Sequence, residues 1–141
     1  MLAKSQSRAQ LRNLREHSYL YRMQLKHFTL SEFDSPDAPG SGAKMKPEFL
    51  QRLDNARSIA GIPFRINSGY RTEAHNKKVG GVADSSHCQG WAADIHCNDG
   101  AARFVIINAL LKAGINRIGV DKGFIHCDCD PTKPQQVIWT Y

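Results

Sequence analysis

Residues 46–60 carry the clearest secondary-structure signal in the chain. Pro47 is suited to the first turn of a helix, and Gly61 stands where such a helix would end. Between these two residues, apolar side chains recur at the three- and four-residue intervals that place them on one helical face: Phe49, Leu50, Leu53, Ala56 and Ile59. The segment therefore predicts an amphipathic helix.

Shorter segments of regular structure follow this helix. Thr72 and Asp99 are suited to cap two further helices, over residues 72–79 and 100–113. Short extended segments predict strands at residues 63–68, 91–96, 117–120, 124–129 and 136–141. This order of helices and strands predicts an α+β fold, in which a single domain has a mainly antiparallel sheet and flanking helices.

The length of 141 residues fits one domain. Hydrophobic residues make up 41% of the chain and charged residues 23%, as in ordinary globular proteins. No apolar run approaches the ~18 residues of a membrane-spanning helix. Residues 1–26 lack the apolar core and the cleavage site of a signal peptide. We therefore expect a monomer that is made in the cytoplasm and has no transmembrane segment.

The positive charge is concentrated at the N-terminus. Residues 1–27 hold six lysines and arginines and one glutamate, and thus five of the six net positive charges. A helical stripe in this segment is formed by Leu11, Leu14, Tyr21 and Leu25. A segment rich in Ser, Pro and Gly, residues 31–45, predicts a loop after it. We therefore divide the chain into a basic N-terminal helical arm, residues 1–27, and a domain over residues 28–141.

The basic arm has two interpretations. It is either a solvated helix face or a segment that is attracted to anionic polymers or lipid head groups. The chain has no helix-turn-helix pattern and no aromatic-basic RNA motif, and its excess charge is confined to the arm. We therefore expect no nucleic-acid partner.

The four cysteines do not follow the spacing of a four-thiolate zinc site. Cys88 and Cys97 are nine residues apart, and Cys127 and Cys129 are two apart, whereas such sites use C-x₂₋₄-C pairs. We expect reduced thiols that are mostly packed in the protein interior.

Three stretches combine metal-binding and polar side chains: SGYRT at 68–72, SHCQGWAAD at 86–94 and FIHCD at 124–128. Zinc binds imidazole nitrogens and carboxylate oxygens, and a catalytic zinc uses three protein ligands and keeps a fourth position open. His87, Asp94 and His126 would supply such a set. Strand alternation places His126 and Asp128 on one face of the sheet. Spacing alone leaves two interpretations, a metal site or ordinary surface side chains.

The run SGYRT…HN…VGG…SSHCQGWAADI…GFIHCD…W resembles the zinc D-alanyl-D-alanine carboxypeptidase family. That family shares its fold with the hedgehog signalling domain and with phage endolysin peptidases. The resemblance covers roughly residues 28–141, which would then form a zinc peptidase-like domain with the hedgehog/DD-peptidase fold. It implies one zinc ion per chain, with His87, Asp94 and His126 as its ligands.

The resemblance also implies residues that act on the substrate. Arg71 would bind a substrate carbonyl or carboxylate and stabilise the oxyanion, because a guanidinium stays charged and offers a rigid fork of donors. Ser86 and Trp139 are expected beside the substrate. Ser86 would brace the turn that carries the first ligand, and Trp139 would line the cleft.

One position departs from the pattern of the family. Several relatives place Glu or Asp three residues before the last histidine ligand, where this chain has Gly123. The reaction needs a base, and Asp128, on the same strand face as His126, is the first candidate. Asp128 is otherwise an orienter of that ligand, and Asp121 is the second candidate for the base.

These residues predict a zinc-dependent metallopeptidase that hydrolyses the stem peptides of bacterial peptidoglycan, as a D-Ala-D-Ala carboxypeptidase or a murein endopeptidase. It would act on the cell wall, and a phage or prophage lysis enzyme would explain the missing export signal. The alternative is a non-catalytic zinc-binding recognition module of the same fold, which the glycine at position 123 favours.

Overall fold

The computed structural model describes residues 7–10, 12 and 24–141. Most of the predicted basic arm, including Leu11, Leu14 and Tyr21, lies outside the described residues. Leu25 lies within them and packs, partly buried, against the core.

Residues 24–141 contain the three predicted helices of the domain: α1 (Pro47–Ala60), α2 (Glu73–Lys78) and α3 (Gly100–Lys112). The predicted end signals act as expected. Gly61 ends α1 in the left-handed conformation, at a φ of 67°. The side chains of Thr72 and Asp99 accept hydrogen bonds from the first turns of α2 and α3. The predicted loop at 31–45 contains two short 3₁₀ turns, Leu30–Phe33 and Ser41–Lys44.

Five strands form one sheet: β1 (Ile66–Ser68), β2 (Ala92–His96), β3 (Arg117–Val120), β4 (Phe124–Asp128) and β5 (Val137–Thr140). Their order across the sheet is β1-β2-β4-β3-β5. The pairs β1–β2, β2–β4 and β4–β3 are antiparallel, whereas β3 and β5 are parallel.

The sheet is therefore mixed, and the expectation of a mainly antiparallel sheet is corrected. Both edges of β4 are already paired, with β2 and with β3. The next strand can therefore pair only at an edge of the sheet, and it pairs at the free edge of β3. The chain turns back after β4, so β5 runs opposite to β4 and in the same direction as β3. The α+β class and the single small domain hold.

The core lies between the helices and one face of the sheet. In α1, Phe49 and Leu53 are fully buried, but Ile59, expected in the same stripe, is 48% exposed. Ile125 and Cys127 on β4 belong to this core, as do Ala93 and Ile95 on β2. Because side chains alternate along a strand, the residues between them point to the other face of the sheet.

Candidate metal centre

The face of the sheet away from α1 and α3 carries Asp94 and His126. Asp94 on β2 lies directly opposite His126 on β4 in the antiparallel register. His87 joins them from a tight turn over residues 85–90 that precedes β2. All three residues are buried, and one ligand atom from each lies within 4.8 Å of the others.

The turn that carries His87 needs glycine at its end. Gly90 has a φ of 76°, and an added Cβ would come 2.4 Å from the carbonyl oxygen of Lys44. The backbone N–H of Trp91 donates to the carbonyl of Ser86, which closes the turn. The turn thereby brings the ring of His87 to the carboxylate of Asp94 on β2.

Two imidazole nitrogens meet at one carboxylate oxygen. His87 Nε2 lies 3.3 Å from Asp94 Oδ1, and His126 Nδ1 lies 3.1 Å from the same oxygen. The second nitrogen of each ring has its own acceptor: His87 Nδ1 lies 2.8 Å from the carbonyl oxygen of Gly69, and His126 Nε2 lies 2.6 Å from Asp128 Oδ2. The carbonyl of Gly69 only accepts, so this bond assigns a proton to His87 Nδ1. For His126, the shorter contact is the one to Asp128, which favours a proton on Nε2 and leaves Nδ1 to face Asp94.

This pattern is the one that metal-binding histidines show, with one nitrogen aimed at the metal and the other donating to an acceptor. Two imidazoles and one carboxylate form a donor set that zinc accepts, and three protein ligands leave a position open. His87, Asp94 and His126 could therefore hold a metal ion.

The electrostatics of the group favour a cation. Burial acts to raise the pKa of Asp94, but hydrogen bonds from His126 and His87 outweigh it and hold this pKa below its ordinary value. Burial acts to lower the pKa of His126, but hydrogen bonds to Asp128 and Asp94 raise it overall. The carboxylate of Asp94 therefore attracts positive charge at the point where a metal ion would bind.

Arg71 lies beside the carboxylate of this group. Its NH2 is 3.3 Å from Asp94 Oδ2, and its Nε donates to Ser68 Oγ at 3.0 Å. Its backbone N–H donates to the carbonyl of His87, and its NH1 lies 3.4 Å from Asn76 Oδ1. The guanidinium is therefore held beside Asp94 in the candidate site.

A cleft of about 400 Å³ opens over these residues. Its polar floor is formed by Arg71, His87, Asp94 and His126. Its other lining residues come from the loop after α2, from the segment between β4 and β5, and from the C-terminal end of the chain: Val79, Gly80, Gly81, Val82, Lys133, Trp139 and Tyr141. The volume falls in the range of clefts that hold small ligands or short peptide segments.

A family model described as peptidase M15 matches residues 26–128. The chain belongs to the peptidase M15 family. This match confirms the resemblance to the zinc D-alanyl-D-alanine carboxypeptidases, and it places the chain in a family of zinc-dependent hydrolases of the metallopeptidase class. No curated protein matches the chain.

The part of this M15 peptidase that the family model matches contains His87, Asp94 and His126 and ends at Asp128. Trp139 and the rest of β5 lie beyond it. In the part of the chain that is described, none of the helices combines the length and the hydrophobicity needed to cross a membrane.

The structure brings most of the predicted site residues of this M15 peptidase around the cleft. Ser86 lies at its edge, where its Oγ donates to Asp130 Oδ2 at 2.7 Å, and Trp139 lies with its ring centroid 5.4 Å from that of His126. Asp128 also lines the cleft. Asp121 does not, and its Oδ2 instead accepts from the backbone N–H of Gly123 in the turn between β3 and β4.

Both carboxylate oxygens of Asp128 are engaged. Oδ2 contacts His126, and Oδ1 accepts from Arg117 Nε at 2.7 Å and from the backbone N–H of Asp130 at 3.0 Å. Burial acts to raise the pKa of Asp128, but the hydrogen bond from His126 lowers it below its ordinary value. Asp128 is therefore an ionised carboxylate with little remaining capacity to accept bonds.

Sequence reasoning missed Arg117, Asn76 and Lys133. Arg117 lies opposite Asp128 across the β3–β4 pair, a relation that depends on a strand register that the sequence pattern did not specify. Asn76 is the second residue of the pair HN in the run that resembles the family, but no sequence pattern indicated its contact with Arg71. Lys133 had no pattern that pointed to the cleft.

Proposed function

We propose that this protein is a zinc-dependent peptidase that hydrolyses a peptide bond in the stem peptide of bacterial peptidoglycan, as a D-Ala-D-Ala carboxypeptidase or a murein endopeptidase. The observation that carries the proposal is the meeting of His87 Nε2 and His126 Nδ1 at Asp94 Oδ1, inside a cleft, in a chain of the M15 family.

His87, Asp94 and His126 would hold one zinc ion per chain. Within residues 24–141, no other group of histidine, cysteine or acidic side chains clusters in this way. When bound, zinc polarises a substrate carbonyl and lowers the pKa of a water molecule, which provides a nucleophile at neutral pH.

Arg71 would bind and orient the scissile carbonyl or a neighbouring carboxylate. Its guanidinium is fixed by Ser68 and Asn76 and lies at the cleft floor, so it would be positioned before the substrate arrives. A preorganised positive group of this kind stabilises the negative charge that develops on the carbonyl oxygen. Ser86 and Trp139 would form part of the walls that contact the peptide.

For Asp128 we favour the role of an orienter of His126 over that of a base. Both of its oxygens already accept hydrogen bonds, and its carboxylate is buried. The variant Asp128→Asn separates the two roles. An orienter would lose zinc affinity with this change, whereas a base would lose turnover and retain zinc.

A second candidate function is a non-catalytic zinc-binding module. One observation favours it: among the described residues, the carboxylates that line the cleft are Asp94 and Asp128, and both are engaged with histidines. Gly123 provides no carboxylate at the position where several relatives have one.

The experiment that separates the two functions is an incubation of the zinc-loaded protein with purified murein and with synthetic stem peptides. Mass spectrometry of the products identifies new termini and thereby the bond that is cut. The peptidase proposal predicts new termini that disappear when a chelator is added. Zinc retention without any new terminus would favour the binding module.

A further inference from the structure

Arg117 is a buried charge that contacts Asp128 behind His126 and also lines the cleft. The residue is 8% exposed, and its guanidinium has three neighbours. Nε donates to Asp128 Oδ1 at 2.7 Å, and NH1 donates to the carbonyl of Pro134. The guanidinium carbon Cζ lies over the ring of Trp139, 5.2 Å from the ring centroid. Burying a guanidinium is costly unless it is paired and hydrogen-bonded, and here it is both.

A continuous line of polar contacts runs from this guanidinium to the candidate metal centre. Asp128 accepts from Arg117 with Oδ1 and from His126 Nε2 with Oδ2, the latter at 2.6 Å. His126 Nδ1 then faces Asp94 Oδ1 at 3.1 Å. Arg117 contacts none of the three candidate metal ligands directly. Any influence of Arg117 on metal binding therefore passes through Asp128 or through Trp139.

The line has a direct consequence for the ring of His126. A lone carboxylate can rotate about its Cβ–Cγ bond and exchange its two oxygens, and a neutral imidazole can carry its proton on either nitrogen. The charged, planar fork of Arg117 holds Oδ1 in place, which leaves Oδ2 to accept from Nε2. The proton is thereby kept on Nε2, and Nδ1 is left to face Asp94.

Trp139 supports the same ring from the side. Its ring centroid lies 5.4 Å from that of His126, and the same ring also contacts the guanidinium of Arg117 and the ring of Tyr141. Gly119 permits this approach, because an added Cβ would come 2.6 Å from Trp139 Nε1. Arg117 thus restrains His126 both through Asp128 and through the indole.

We propose that Arg117 is a positioning residue for the metal centre, which acts through Asp128 to fix the tautomer and the orientation of His126. This role depends on the proposed function, because it concerns zinc binding. The tautomer and orientation of His126, however, exist before metal or substrate binds. It can therefore be tested separately from turnover.

The variants are Arg117→Gln, which removes the charge, and Arg117→Lys, which keeps the charge but loses the planar fork. Arg52→Gln is the matched control, because Arg52 also bonds a carboxylate, that of Glu48, and a backbone carbonyl, that of Gly114, away from the cleft. Zinc dissociation constants are measured by competition with a chelator, and folding is checked by circular dichroism. ¹⁵N–¹H NMR of the metal-free protein, at a pH where His126 is neutral, reports which nitrogen carries the proton.

In the unmodified protein we expect a single tautomer of His126, protonated on Nε2. Both Arg117 variants should show a mixture of tautomers and should bind zinc about 10- to 100-fold more weakly, which is the usual effect of losing a partner behind a ligand. Arg52→Gln should change neither value. In the background of Asp128→Asn, the change Arg117→Gln should cause a smaller loss of zinc affinity than it causes alone, because only the contact through Trp139 then remains.

Several results would overturn the inference. A folded Arg117 variant with unchanged zinc affinity and a single tautomer would do so, and so would additive losses in the double variant. Failure of both Arg117 variants to fold, with Arg52→Gln folded, would assign Arg117 to fold stability instead. If the unmodified protein binds zinc as described but cuts no murein peptide, the proposed peptidase activity fails and this inference stands.

Discussion

Two histidines use different ring nitrogens at the same carboxylate oxygen, His87 through Nε2 and His126 through Nδ1. The difference follows from where each ring is anchored. The carbonyl of Gly69 takes the Nδ1 proton of His87, and Asp128 takes the Nε2 proton of His126. Each of these acceptors leaves the other ring nitrogen to face Asp94 Oδ1. The residues that hydrogen-bond the histidines therefore determine the geometry of the candidate metal centre together with the histidines themselves.

The ligand assignment predicts the metal content of single variants. We expect about one zinc per chain in the unmodified protein and little zinc in His87→Ala, because two remaining ligands do not form a stable zinc site. His96→Ala is the control, since His96 is exposed at the end of β2 and lies outside the group. Elemental analysis after dialysis measures both. Equal zinc in the two variants would exclude His87 as a ligand.

Arg71→Lys tests the proposed contact with the substrate. Lysine keeps the charge but loses the fork that reaches Ser68, Asn76 and Asp94 together. Loss of one oxyanion donor costs on the order of 10²–10³ in rate in other hydrolases, and we expect a fall in kcat of that order with zinc content unchanged. Steady-state kinetics on a stem peptide provide the measurement. Unchanged kcat would remove Arg71 from the reaction.

At the scale of elements, the helices and strands of the domain were predictable and their pairing was not. Local signals such as Pro47, Thr72 and Asp99 mark helix starts in the sequence itself. Strand alternation correctly placed His126 on the face opposite Cys127. The parallel pairing of β5 and the position of Arg117 opposite Asp128 depend instead on which strands are neighbours, a non-local property that no short pattern contains.

The buried carboxylate of α1 is a second feature that periodicity did not predict. Asp54 is 1% exposed, and its two oxygens accept from the backbone N–H groups of Lys26 and His27, at 2.9 and 3.0 Å. In Asp54→Ala these two donors lose their acceptor, and we expect the free energy of unfolding to fall by about 1–3 kcal/mol. Urea unfolding followed by circular dichroism measures it.

Asn55→Ala is the control for this change, because Asn55 is the exposed neighbour on the same helix. Its side chain bonds only to Gln51 one turn away among the contacts described for it, so the expected change is within ~0.5 kcal/mol. A loss in Asp54→Ala no larger than that in Asn55→Ala would show that the contacts of residues 26 and 27 with α1 contribute little to stability.

For the molecule as a whole, the contacts of residues 25–28 decide where the arm can be removed. Leu25 packs on the core, Phe28 is buried, and Arg57 NH1 donates to the carbonyl of His27. The division at residue 27 stays a prediction, but these contacts indicate that a cut after residue 27 would remove bonds to α1. A cut after residue 23 would leave all of them.

We therefore predict different outcomes for two truncated chains. The chain of residues 24–141 should keep the zinc content, the unfolding free energy and the turnover of the full chain on small peptides. The chain of residues 28–141 should unfold at a lower urea concentration, because Asp54 loses both of its backbone donors. Equal unfolding midpoints for the two chains would show that the bonds to Asp54 are dispensable.

The same pair of chains tests the role of the positive charge at the N-terminus. Residues 1–23 carry five lysines and arginines and one glutamate, so their removal lowers the net charge from +6 to about +2. If the charge serves to bring the protein to anionic wall polymers, the full chain should bind murein sacculi more tightly than the chain of residues 24–141. That difference should shrink as the salt concentration rises, because screening over about 10 Å at 0.1 M weakens attraction between exposed charges.

Cosedimentation with sacculi over a salt series measures the difference in binding. Turnover on a soluble peptide is the control that both chains are equally active. Equal binding at low salt would leave the charged segment as a solvated surface with no part in reaching the substrate.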